Sequence, residues 1–454
     1  MRMKQSTLSR AAVALGTILL LGALLGCGGG GGGVSPPPTL SGEIKGLAPG
    51  VKLILSVNGQ AQEFSTPQYA QQPALNFTRS FFSGETYAID VVKHPAGQIC
   101  AVLRARTGVL TTSVSNVLVE CHTTRLNDTG IRGSTAQQTS AWAPDSSGGR
   151  DAEADRLTKV GSGAFGFDYS KVCSSGVLVD SAGQCPGTQT WDCVRDNVTG
   201  LMWRRVDVPY AGAPPVATEP FCGDQNWRLP TVHELLSIVH AGKDASPYLD
   251  TDFFTATQPA TPFLTSETYR DGAGAPWAVD FNNGGAASKL VVGSASRARW
   301  VSGTSDLNDP EPIPSAYSTT DANANYVIVD TQRELMWLVP KALVQSDWAG
   351  AQTELSSVNG ASLGGYGDWR VPNRSELDAL ANRNFKTPAM DPKVRDAIAN
   401  ADAASVVYWS SSPWVRDTGR AWVVDFAYGD ISTKSKTESA RLIFVRNRAF
   451  NAPQ

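Results

Sequence analysis

The sequence has 454 residues, with 39 lysines and arginines against 42 aspartates and glutamates and only four histidines. That balance offers no basic domain for nucleic acid, and a chain this long exceeds one hydrophobic core and predicts two to four domains. Its 43 glycines and 27 prolines, with few long helical patterns, predict short strands and many turns.

Residues 1–10 carry Arg2, Lys4 and Arg10 and no acid, residues 11–25 are almost wholly apolar, and Leu24-Leu25-Gly26-Cys27 follows. This pattern reads as a secretory signal over 1–26, its apolar run being shorter than the ~20 residues a bilayer span takes. The tetrad resembles the lipobox of bacterial lipoproteins, which implies acylation of Cys27, a mature N-terminus there and the lipid bilayer as a partner. The alternative is an ordinary signal with an incidental cysteine. Gly28, where an aspartate would resemble an inner-membrane retention signal, favours the outer membrane, on its periplasmic face or at the cell surface. Residues 27–40 form a tether, a glycine run followed by the stiffer Pro36, Pro37 and Pro38. The run lacks the Gly-Lys-Ser/Thr ending of a phosphate loop.

With Cys27 assigned to lipid, six cysteines remain: Cys100, Cys121, Cys173, Cys185, Cys193 and Cys222. An even set in an exported chain reads as disulfides, and domain boundaries favour Cys100–Cys121, Cys173–Cys185 and Cys193–Cys222. A zinc site is the competing reading, and no Cys-x-x-Cys pair supports it.

From 41 to 124 the pattern has period two: Val51, Leu53 and Leu55 alternate with Lys52, Ile54 and Ser56, and Asn58-Gly59 and Ser83-Gly84 mark turns. This predicts a small all-β sandwich pinned by its own disulfide. It resembles the immunoglobulin-like modules found next to lipoprotein tethers, for which a spacer role is implied. Residues 125–150, rich in Ser, Thr, Gly and Gln, read as a linker.

The remainder contains a duplication. Asp196…Leu201-Met202-Trp203 returns as Asp330…Leu335-Met336-Trp337, and Trp227-Arg228-Leu229-Pro230-Thr231…Glu234-Leu235 returns as Trp369-Arg370-Val371-Pro372-Asn373…Glu376-Leu377. Phe263–Glu267 answers to Tyr408–Ser412, Trp277…Asp280-Phe281…Gly284 to Trp422…Asp425-Phe426…Gly429, and Ala298–Val301 to Ala440–Ile443. Five blocks in one order place two copies at 151–305 and 322–450, joined by a linker at 306–321. Trp203 and Trp337 read as core residues on buried strands. Thr231 with Glu234, and Asn373 with Glu376, have capping-box spacing behind Pro230 and Pro372, so each block opens a helix. Val232, Leu235, Leu236 and Val239 make its apolar stripe. Arg228 and Arg370 need a buried carboxylate or backbone carbonyls as partners, with Asp280 and Asp425 as candidates; ligand binding by these arginines is the competing reading.

The blocks around Trp203, Trp227, Arg228, Pro230, Glu234, Trp277 and Asp280, repeated more loosely at Trp337, Trp369, Arg370, Pro372, Glu376 and Asp425, resemble the Legionella collagen-like (Lcl) C-terminal domain family. The resemblance covers about two-thirds of the chain and implies α+β C-type-lectin-like domains in tandem, here preceded by the small all-β immunoglobulin-like sandwich. It also implies binding of carbohydrate or a host surface. The Arg-Leu-Pro-Thr block further resembles formylglycine-generating enzymes, whose chemistry needs late cysteines, and none follows Cys222.

Other chemistry fails on its partners. His233-Glu234 begins like a zinc-protease motif, but position 237 is Ser and the next histidine is His240. Gly360–Gly364 spells a nucleophile elbow with no later histidine. Asp321-Ala322-Asn323-Ala324-Asn325 imitates a calcium loop but continues with Tyr326 and ends on Gln332 in place of glycine and glutamate. The expectation is therefore no metal, no cofactor and no catalysis, with calcium near Asp250 and Asp252 as a minor alternative. Lys434, Lys436, Arg441, Arg446 and Arg448 form a cationic tail that could meet an acidic glycan or guard a sheet edge. The sequence reading is thus a lipid-anchored, non-catalytic binding protein or adhesin for a glycan or other surface polymer, or else a structural partner of an envelope protein.

Overall fold

The computed structural model describes residues 36–131, 158–303 and 318–447, apart from 49, 66–72, 96–97, 124–125, 181, 211–219, 292, 321–325, 331–332, 334, 341–343, 391–394 and 396–406. The signal, Cys27, most of the tether, the calcium-like stretch 321–325 and Arg448 lie outside the described residues.

The N-terminal module consists of two four-stranded sheets. One runs in the order Ala74–Asn76, Leu40–Lys45, Val114–Thr123, Gln98–Arg104, and the other Gln60–Ser65, Lys52–Val57, Glu85–Lys93, Thr107–Leu110. Leu53, Leu55 and Val57 are buried and Lys52 is exposed, so the period-two pattern sends one face into a core shared with Leu40, Ile44, Phe77, Phe81 and Val117. Asn58 and Gly59 both take positive φ, the backbone a two-residue hairpin needs to match strand twist. The chain enters beside Val114, which pairs with Leu40, and Val114–Thr123 then carries it the length of the module, about 33 Å at ~3.3 Å per residue.

The two repeats share one ten-stranded sheet whose order reads as a palindrome. From repeat 1 come Val208–Pro209, Arg297–Ala298, Phe263–Thr268, Pro276–Asp280 and Ala286–Lys289; then Asp430–Ser435, Arg420–Asp425, Val407–Pro413, Ala440–Arg441 and Gln345–Ser346 follow from repeat 2. The halves meet where Ala287 pairs with Ile431. Each repeat adds a four-stranded sheet: Val301–Ser302, Met202–Arg204, Trp191–Asp196 and Tyr169–Cys173 in the first, Phe444–Asn447, Leu335–Val339, Tyr326–Asp330 and Ser318–Thr320 in the second. Trp203 and Trp337 are fully buried on the corresponding strands. One apolar cluster runs through both copies, from Phe167, Trp203 and Trp277 to Trp337, Leu377, Trp422 and Val445. The copies are fused halves of one body.

The expected α+β lectin-like arrangement is overturned. Among the described residues there are 26 strands, in small mixed sheets beside the shared one, and only three α-helices: α1 (Val232–Ser237), α2 (Gly350–Gly360) and α3 (Arg374–Ala379). The apolar stripe was read as lying on one helix as far as Val239, but α1 stops at Ser237 and Val239 is buried from a loop; in repeat 2, Leu380 and Ala381 lie past the end of α3. Helices of six residues are far below the length that is stable alone, so their capping boxes and the sheets they pack on hold them. Among the described residues no helix is long and apolar enough to cross a membrane.

Two segments read as linkers contain structure. Ser318–Thr320 pairs with Tyr326–Ile328 as the edge strand of repeat 2. Residues 127–131 are buried against repeat 1: the Asn127 amide donates to Asp196 at 2.8 Å, and Asp128 accepts from Gly130 N–H at 2.5 Å and from Gly166 N–H at 2.8 Å. A side chain on Gly242 would collide with the Gly130 carbonyl, so glycine is required where the segment crosses. The disulfides are Cys100–Cys121, Cys173–Cys185 and Cys193–Cys222.

Candidate functional site

The repeated arginines come first, because their spacing made them ligand candidates. Arg228 donates from both terminal nitrogens to the two Glu234 oxygens, at 2.7 and 2.6 Å, and to the Gly303 carbonyl at 2.8 Å. Glu234, fully buried, also accepts from the Thr231 N–H, closing the capping box. Arg370 grips Glu376 the same way, and Glu376 accepts from the Asn373 N–H at 2.9 Å. Asp280 and Asp425 are not the partners. Each ends a strand and turns its carboxylate back onto the backbone two residues on, at the N–H of Asn282 and of Ala427. The glutamate wins because the cap already aims it toward the residues before the proline. The arginine motif locks strand to helix. Replacing Glu234 with alanine removes the side-chain half of the capping box and strands the Arg228 fork; a loss of about 2 kcal/mol is expected, read as a lower urea midpoint.

The cationic tail is dispersed. Arg441 and Arg446 are buried, Arg446 gripping Asp368 at 2.7 and 2.9 Å with its guanidinium 3.9 Å from the Tyr366 ring. Lys434 pairs with Glu438 at 2.7 Å, and Lys436 stands 4.1 Å over Trp348. Arg299 is wholly buried, donating to the carbonyls of Arg204 and Arg205 and to Asp207; burial pulls its guanidinium down to about 10. Asp250 accepts from the N–H groups of Ala164 and Asp252.

The polar site that the fold does assemble lies at the seam between repeats, where α1 meets α3. The His233 Nδ1 is 2.7 Å from Asp378 and its Nε2 is 2.9 Å from the Ala381 carbonyl. Arg383 donates to the other Asp378 oxygen at 2.6 Å and to the Gly429 carbonyl at 2.7 Å. Burial alone would raise the Asp378 carboxyl; Arg383, then His233, outweigh it and hold the group well below the ordinary carboxylate range. Arg374 reaches across to the carbonyls of Gly284 and Gly285, at 2.5 and 2.9 Å, with its guanidinium 4.1 Å over Trp422. Tyr269 donates to Asp430 at 2.6 Å, and burial first, Asp430 second, raise that phenol.

A small cleft, partly open to solvent, lies beside these residues and is lined by Asn127, His233, Ser237, Arg333, Ser375 and Asp378 among others. Both His233 nitrogens face oxygens of the seam, and the Ser237 hydroxyl donates to the Glu234 carbonyl at 2.7 Å. The arrangement is a charge network that ties two halves together, without the nucleophile–base contact that acyl transfer needs.

Sequence reasoning singled out His233 but missed Asp378, Arg383, Arg374 and Tyr269. A signal was present in the aligned copies: Arg374 stands where repeat 1 has Val232, and Asp378 where it has Leu236, so charge replaces apolar residues on a buried stripe.

A family model described as the Lcl C-terminal domain matches residues 192–302 and 326–446, just over half of the chain and one match on each repeat. A search of curated proteins finds no match. The chain belongs to the Lcl C-terminal domain family.

Proposed function

We propose that this is an exported, non-catalytic binding protein, anchored in the outer membrane through lipid on Cys27, whose fused double repeat holds a glycan or another surface polymer. Membership of the Lcl C-terminal domain family carries the reading, since that family suggests a binding role at a surface. The three disulfides agree with an oxidising compartment. The polar residues of the seam and of both arginine motifs are occupied with one another, which supports a scaffold over a reaction centre. The reading needs no cofactor and no nucleic acid, so chelating calcium is expected to leave binding unchanged.

A glycan array probed with the secreted Cys27→Ala chain tests the ligand class. Retention on a defined glycan set is expected; silence across anionic and neutral glycans, with a protein recovered by cross-linking from the envelope, would replace the glycan with a protein partner. Labelling cells with radioactive palmitate tests the anchor: label is expected in the wild type and absent from Cys27→Ala, and equal label in both refutes it.

A further inference from the structure

We propose that the end of the N-terminal module bearing Phe82 touches the bilayer, with the Phe82 ring seated at the headgroup–acyl boundary; this rests on the acyl anchor at Cys27. Phe82 is 75% exposed and is the one aromatic among the exposed large hydrophobics of the described residues. Its exposure is built in: the neighbouring Phe81 is buried in the module core, and the turn is closed by Glu85 N–H to the Phe82 carbonyl at 3.1 Å and Phe82 N–H to the Glu85 carboxylate at 3.2 Å. A lone exposed apolar residue is ordinary; its location gives this one meaning.

Gly84 N–H bonds the Leu110 carbonyl, and residues 111–113 lead from Leu110 to Val114, the partner of Leu40. Thr39 is fastened on both sides, its N–H to the Ser113 hydroxyl at 3.0 Å and its carbonyl to Val114 N–H at 2.8 Å. Phe82 thus shares an end with the point where the chain arrives from Cys27. The repeats depart from the other end, after Thr123, and Thr158 at the start of repeat 1 bonds the His94 carbonyl there. Twelve residues lie between Cys27 and Leu40, a reach of at most about 45 Å, so an acylated chain brings the Phe82 end to the bilayer first. That end suits an interface: the exposed Thr78, Ser80 and Ser83 flank Phe82 in sequence, Ser113 lies in the loop that follows Leu110, and the Arg79–Glu85 pair is internally neutral. An apolar ring on a polar rim is the composition that settles at the headgroup boundary.

The test uses the acylated full-length chain carrying Phe82→Cys labelled with an environment-sensitive fluorophore, attached to phosphatidylethanolamine–phosphatidylglycerol vesicles. Val291→Cys, at a site 71% exposed on repeat 1, is the control. The label at 82 is expected to shift to the blue, brighten and be quenched by nitroxide lipids, and the label at 291 to do none of these. Flotation reads the anchor separately. A chain that fails to float with the vesicles removes the anchor and this contact with it; a chain that floats while its label at 82 stays aqueous and unquenched overturns the contact alone.

Discussion

Replacing Asp378 with alanine is expected to cost about 3–5 kcal/mol of stability, because it leaves the buried Arg383 guanidinium without its counter-charge and His233 without its carboxylate partner. Arg383 has essentially no exposed side chain and retains only the Gly429 carbonyl as its partner on that nitrogen, and His233 loses the carboxylate at its Nδ1. Guanidinium unfolding of both proteins measures the loss; a difference under 1 kcal/mol, roughly what an exposed pair contributes, would show that the seam is solvated. The pH dependence follows from the depressed Asp378 carboxyl. A carboxylate held below its unfolded value, about 3.9, contributes stability above that pH and loses it as pH falls through the folded value. The gap between wild type and Asp378→Ala is therefore expected to be constant from neutral pH down to about 4 and to close below it.

A protease site inserted between Gly303 and Ser318 is expected to give, once cut, two fragments that elute together in native buffer and separate in concentrated guanidinium. All three disulfides lie before residue 223, so no covalent bond would hold the halves. What holds them is the sheet junction at Ala287 and Ile431, the common apolar cluster, and the reach of Arg374 and His233 across the seam. Conformational entropy for these contacts is offset within each folded half, so cutting the connection removes only its loop-closure advantage, which grows slowly with length. Separate elution of the halves in native buffer would mean that the seam is too weak to join them unaided.

Much of this was legible in the sequence because it is local. The capping boxes at Thr231 and Asn373 are four-residue patterns, and the alternation in Lys52–Val57 has period two. The duplication gave two copies, but identical blocks say nothing about how copies pack, so the palindromic sheet was invisible. Helix length was overread because Val239 keeps a helical spacing while lying in a loop. Asn127-Asp128-Thr129-Gly130 resembled linker because these residues favour turns; here the same side chains satisfy backbone N–H groups and so allow the segment to be buried. The partners of Arg228 and Arg370 were misassigned to aspartates distant in sequence when a glutamate six residues away was already aimed back by its cap.

The shared sheet also bears on self-association. Two separate repeats would each present an open strand, Ala286–Lys289 or Asp430–Ser435, with unpaired backbone groups that can template fibre growth. Here each of those strands is capped by the other, and among the described residues the sheet's outer strands are the two-residue Val208–Pro209 and Gln345–Ser346, one ending in a proline that has no N–H to offer. Fusion of the two repeats thereby turns the edge that a single repeat would expose into the interior of a ten-stranded sheet.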